Sequence, residues 1–156
     1  CCCLPCHCAR TGPCTAPSRR PYRNLITVCV DESRASEISG RLYHCYSREP
    51  QSFENIVQLI RYMEEFYDSI RFPESSVVLR EFRSEKQKIR EKQEKSMEYR
   101  QLMEQSGTCA TFHIYVKYRQ SATWQGILAW KEGKREMEFR SVLELIIEMD
   151  AILGRK

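Results

Sequence analysis

The sequence predicts an α+β protein: two tandem ββ(β)α units related by pseudo-twofold symmetry and joined by a charged helix. Three observations carry this. Sliding the chain against itself gives a gapless internal match at an offset of 86, residues 24–68 against 110–154. Within it Ile26, Val28 and Val30 alternate as Phe112, Ile114 and Val116 do, the period of a strand with one buried face. Both copies end in an amphipathic helix opened by the same type of cap, Asn55-x-x-Gln58 and Ser141-x-x-Glu144. Only seven of the 45 aligned positions are identical, so the repeat rests on shared parity and shared caps more than on identity.

Residues 1–23 form a tail distinct from the rest of the chain. They hold six of the nine cysteines and four of the six prolines and show neither helical nor strand periodicity, which predicts a disordered Cys/Pro-rich segment. Cys3, Cys6, His7, Cys8 and Cys14 crowd soft ligands together, yet they lack the two separated ligand pairs of a zinc module, so no metal is expected. Lipidation of Cys1 to Cys3 would need a removed leader. Arg10, Arg19, Arg20 and Arg23 supply the entire net charge of +4, since residues 1–30 contain no acid. The remainder is neutral and makes no global electrostatic case for nucleic acid or acidic lipid.

The first unit spans residues 24–72. Its opening strand leads to a second, ISGRLYHCY, aligned with WQGILAWKE of the other unit so that Gly40 matches Gly126 and Leu42 matches Leu128. A glycine inside a strand marks a bulge or the close approach of a neighbour. Pro50 keeps the third strand short. The helix then carries Ile56, Val57, Ile60, Met63, Tyr67 and Ile70 at steps of three and four, widened by Leu59 and Phe66. Residues 73–108 read as a linker: Phe72-Pro73 ends the first helix region, and Ser84-x-x-Gln87 opens a charged helix extending to about Gln105. The second unit, 109–156, repeats the plan, with a KEGK turn at Lys131 to Lys134, a third strand near 134–139, and a closing helix on Val142, Leu143, Ile146, Met149 and Leu153. Apolar stripes this wide predict that the two helices pack on each other or on another subunit.

The residues RQSATWQG (Arg119 to Gly126) and FRSVLELI (Phe139 to Ile146) resemble a module of small uncharacterised proteins of anaerobic Gram-positive bacteria. The resemblance covers roughly the last 45 residues well and the first unit less well. It implies a bacterial, cytoplasmic origin and a sheet-plus-helix module, and it brings no assigned function.

Catalytic patterns are missing. There is no Gly-rich phosphate loop and no serine elbow, and the repeat pairs no carboxylates inside the fold. His44 and Cys45 are strand neighbours and therefore face opposite ways, so His44 cannot readily activate the thiol; His44 and His113 read as core histidines. Arg19-x-x-x-Arg23 with Asp31-x-Ser33 resembles the split motif of PilZ-type cyclic-dinucleotide receptors. Ser36 stands where that pattern needs glycine, however, and the two parts lie too close together. No cofactor is expected. The candidate site is the loop Tyr118, Arg119, Gln120, Trp124 and Gln125, whose arginine and aromatics have the composition of a binding hot spot. The alternative is that Tyr118 and Trp124 merely cap the sheet edge beside Gly126. These observations predict a non-catalytic, cytoplasmic interaction or regulatory module whose partner is another protein or a second copy of itself. The competing prediction is nucleic-acid binding through the Arg-rich tail and Lys86, Lys88, Arg90, Lys92, Lys95 and Arg100, with the interleaved glutamates arguing against it.

Overall fold

Six antiparallel strands form one sheet in the computed structural model, which describes residues 22–34, 37–73, 94–120 and 123–154. The predicted tail up to residue 21, the Ser84 cap and most of the charged helix lie outside the described residues. A short 3-10 turn, Tyr22–Asn24, leads into β1 (Leu25–Arg34), β2 (Glu37–His44) and β3 (Gln51–Phe53), followed by α1 (Ile56–Ile70). After α2 (Tyr99–Glu104) come β4 (Ala110–Tyr118), β5 (Gln125–Trp130), β6 (Arg135–Phe139) and α3 (Val142–Leu153). The strand order is β3-β2-β1-β4-β5-β6, with β1 and β4 side by side at the centre.

One face of the sheet carries the main core. Ile26, Val28 and Val30 of β1 and Phe112, Ile114 and Val116 of β4 are buried there with Leu42, Leu128, Phe53 and Phe139. Leu59, Met63, Phe66 and Tyr67 of α1 and Leu145, Met149, Ile152 and Leu153 of α3 cover them. Burying each such side chain stabilises the fold by about 1.5–3 kcal/mol relative to leaving it exposed. The opposite face is covered around β1 as well: Leu25, Cys29, Tyr43 and Cys45 pack with Met97 and Leu102. The central strands are therefore buried on both sides rather than on the single face their alternation predicts.

Gly40 pairs with Val30 and with Phe53, and Gly126 pairs with Val116 and with Phe139. A register shift follows each valine, between Val30 and Glu32 and between Val116 and Tyr118. These bulges push backbone toward the glycines. A Cβ on Gly40 would lie 2.0 Å from the Cys29 carbonyl oxygen, and one on Gly126 would lie 2.1 Å from that of Tyr115. Close backbone approach is what requires glycine here.

Both helix caps form. Asn55 Oδ1 accepts from the Gln58 amide at 2.8 Å and Ser141 Oγ from the Glu144 amide at 3.0 Å. In return Gln58 and Glu144 reach one residue farther back than a capping box requires, accepting from the Glu54 and Arg140 amides at 2.7 Å. The helical faces differ from expectation in one respect: Val57 and Leu143, read as parts of the inward stripe, are 73% and 66% exposed. The sheet accepts one arc of each helix, centred on Leu59 and Leu145, and leaves the adjacent arc uncovered.

A continuous charged helix reaching Gln105 does not form, because residues 94–98 are not helical. The Ser96 and Met97 amides both donate to the Cys45 carbonyl, at 2.8 and 3.0 Å, which anchors this segment to the end of β2. The short α2 then lies against β1, with Leu102 buried and its carbonyl accepting from Thr27 Oγ1 at 3.2 Å.

Candidate functional site

The loop between β4 and β5 divides its side chains between two directions. Arg119, only 3% exposed, and Trp124, also buried, turn inward toward α1. Tyr118 and Gln120 are exposed, and Gln125, paired with Tyr118 in the ladder, is half-buried. The structure therefore brings together Arg119 and Trp124 and leaves the other three candidates outside the cluster.

Arg119 Nη2 forms ion pairs with Glu64 and with Asp68, the latter at 2.7 Å, and Trp124 Nε1 donates to the second Glu64 oxygen at 2.8 Å. Asp68 follows Glu64 by one helical turn, so one face of α1 offers both carboxylates. The guanidinium lies 5.7 Å from the centre of the Tyr67 ring, and that ring meets Trp124 edge to face at 5.5 Å. Burial works against the charge of Arg119, but hydrogen bonds to Asp68 and Glu64 outweigh it and raise its pKa. The sequence discloses Arg119 and Trp124 but not Glu64 or Asp68, whose helical spacing alone gives no hint of a partner more than 50 residues away.

Beside this cluster a groove of about 690 Å³ runs between α1 and α3, floored by Trp124 and Arg119 and walled by Ile56, Ile60, Val142 and Ile146. A second depression of about 290 Å³ shares Ile56 and Ile146 and adds Ile38, Ile147 and Leu153. Val57, Leu143 and Ile147, the last 56% exposed, stand on the same two helices. Exposed aliphatic side chains beside apolar depressions mark contact surfaces. Their signal in the sequence is the width of the two apolar stripes.

The residues weighed for chemistry are apart from one another. Cys45 Sγ contacts the Arg23 carbonyl on the α2 side, and burial raises its pKa. His44 stacks on Phe66 of α1 at 4.4 Å, on the other side of the sheet. His113 Nδ1 lies 3.0 Å from Thr27 Oγ1, and because that hydroxyl donates to Leu102, the imidazole Nδ1–H is the donor to Thr27. Asp31, the acid of the cyclic-dinucleotide resemblance, is clamped by Arg41 through two bonds of 2.8 and 3.1 Å. Among the described residues no three His, Cys, Asp or Glu side chains converge to hold a metal ion, and no helix is long and apolar enough to cross a membrane. No protein-family model, curated protein or solved structure matches the chain.

Proposed function

We propose that this chain is a non-catalytic protein-interaction module that pairs with a second copy of itself through the face formed by α1 and α3. The observation that carries the reading is the aliphatic groove between α1 and α3, with Val57 exposed in its lining, Ile147 exposed in that of the smaller depression, and Leu143 exposed on α3. A second copy fits as the occupant because the face is repeated within the chain: Val57, Ile56 and Ile60 of α1 correspond to Leu143, Val142 and Ile146 of α3. Arg61 and Glu64 line the larger depression and Asp150 the smaller, so the face carries charges of both signs around its aliphatic centre. The buried thiols of Cys29 and Cys45, whose pKa values burial raises, and the separated histidines support a non-catalytic role. Among the described residues the cysteines, Cys29, Cys45 and Cys109, are free thiols, which fits a reducing cytoplasmic compartment.

The same reading takes the chain as two tandem units about a pseudo-twofold axis between Thr27 and His113. These residues are 86 apart in sequence and directly opposite each other in the β1–β4 ladder, flanked by Ile26 against Ile114 and Val28 against Phe112. The matched glycine pairings and bulges of the two halves support it. A face that inherits such symmetry is suited to self-pairing.

The test is mass by light scattering and native mass spectrometry on the full chain. A dimer is expected, converted to monomer by Val57→Glu with Leu143→Glu while thermal stability holds, since both sites are exposed. A monomer at every concentration, or a dimer indifferent to both substitutions, would overturn the proposal. A monomer that retains oligonucleotide would favour nucleic-acid binding through the Arg-rich tail instead.

A further inference from the structure

On the edge of the sheet away from the groove, where β2 ends and α1 passes over it, lies a separate cavity of about 360 Å³. That is within the size of small-ligand sites, about 300–1,000 Å³. Three aromatic rings and an imidazole, Tyr46, Tyr62, Phe66 and His44, line it together with Gln51 and Ser69. His44 and Phe66 are stacked at 4.4 Å, and the Tyr46 ring is inclined at 45° to both, 6.4 and 6.1 Å away, so the rings form a corner rather than a flat wall. Tyr62 is fixed from α1, its hydroxyl accepting from Gln58 Nε2 at 2.9 Å.

Among the described residues the charged side chains that line this cavity are acidic. Glu65 and Glu94 are among the lining residues, and among the described residues no lysine or arginine lines it. Arg61 approaches Glu65 only from the preceding turn of α1, at 4.0 Å, with both side chains largely exposed. His44 adds no positive charge near neutral pH, because burial lowers its pKa to about 4 and its Nδ1 accepts from the Tyr46 amide at 3.3 Å. Ring faces carry partial negative charge and attract cations, most strongly when water is displaced. Gln51 and Ser69 could accept from an ammonium bearing hydrogens, but the rings make up half of the lining, and a quaternary ammonium is the cation that ring faces and a diffuse negative field suit best.

From the aromatic corner with its two carboxylates we infer that this cavity binds a quaternary ammonium group. Two sources share that chemistry: a free small molecule of the choline type and a trimethylated lysine on a peptide.

The experiment is a titration of the isotope-labelled full chain followed by NMR, with choline, with a trimethyllysine peptide, and with the carbon isostere of choline in which a tert-butyl group replaces trimethylammonium. Choline should shift the resonances of His44, Tyr46 and Phe66 saturably, and the isostere should bind about tenfold more weakly. A peptide that binds more tightly than choline at the same resonances assigns the source to a modified protein, and equal affinities assign it to the free cation. Glu65→Gln with Glu94→Gln, both near-isosteric, should weaken choline several-fold while the spectrum stays folded, and Tyr46→Leu should abolish the response. An isostere that binds as well as choline, or no saturable shift at these residues, overturns the inference.

Discussion

Acidification should destabilise this protein well before its carboxylates protonate. His44 and His113 both have folded-state pKa values of about 4 in place of 6.5, His44 because burial disfavours the charged ring and His113 for the same reason with Lys131 adding to it against a smaller opposing effect of Glu132. Between pH 4 and 6.5 the unfolded chain therefore binds more protons than the folded one, so this stability is complete above pH 6.5 and is lost as pH falls. Each histidine contributes about 2 kcal/mol of destabilisation at pH 5 and about 3 kcal/mol once pH falls below 4. For His113 there is a specific structural reason. Its Nδ1–H is donated to Thr27, and protonating Nε2 would place a second N–H where the buried atom has no acceptor among the described residues. Asp31, with a pKa lowered chiefly by its hydrogen bonds from Arg41, contributes only in the more acidic range below its ordinary value of 3.8. Urea unfolding followed by tryptophan fluorescence at pH 7, 6 and 5 measures the effect, and His113→Asn should remove about half of the slope. An unfolding midpoint that stays flat across this range, or imidazole titrations near 6.5 in the folded chain, would refute the reasoning.

Three further outcomes are expected. Gly40→Ala and Gly126→Ala should each cost about 3 kcal/mol or more in urea unfolding, because the new methyl meets a backbone oxygen that only a shifted bulge can clear; a cost below that of an exposed strand glycine would show that the bulges yield freely. Glu64→Ala should cost about 1–2 kcal/mol, held down by Asp68 remaining on the guanidinium, and should shift tryptophan emission through the lost Trp124 bond. Glu64→Gln should keep that emission. Iodoacetamide followed by peptide mapping should label half-buried Cys109 ahead of Cys29, which is buried with its pKa pushed up to about 11.

The parts of this fold that the sequence disclosed are those decided by neighbours along the chain. Alternation located β1 and β4; the glycine shared by the two copies located β2 and β5; Pro50 pointed to a short β3, which has three residues; Asn55 and Ser141 began the two long helices. The paired glycines pointed to a bulge or a close neighbour, and both occur: a register shift in the adjoining strand and a backbone oxygen close by. What stayed hidden depends on distant residues. The break at 94–98 comes from amides tied to the Cys45 carbonyl, and nothing within that polar segment announces it. Burial of both faces of β1 depends on Met97 and Leu102 folding back over it. Val57 and Leu143 carry the same helical period as their buried neighbours, and only the position of the sheet decides which arc of the stripe it covers.

The inward turn of Arg119 changes where a partner is to be sought. A guanidinium that is buried and joined to two carboxylates cannot reach a partner without leaving Glu64 and Asp68 behind, which removes a network instead of adding a contact. Its role is to fasten α1 to the β4–β5 loop, with Trp124 completing the joint, and thereby to set the floor and one wall of the groove. On the proposed self-pairing, contact with a second copy falls to Val57, Leu143 and Ile147, which are exposed. The two roles separate by experiment. Arg119→Met should weaken self-association only together with unfolding stability, since it loosens α1, whereas Leu143→Glu should weaken association alone. If Arg119→Met abolished the dimer and left stability untouched, the arginine itself would be the contact, and the interface would belong to the loop rather than to the helices.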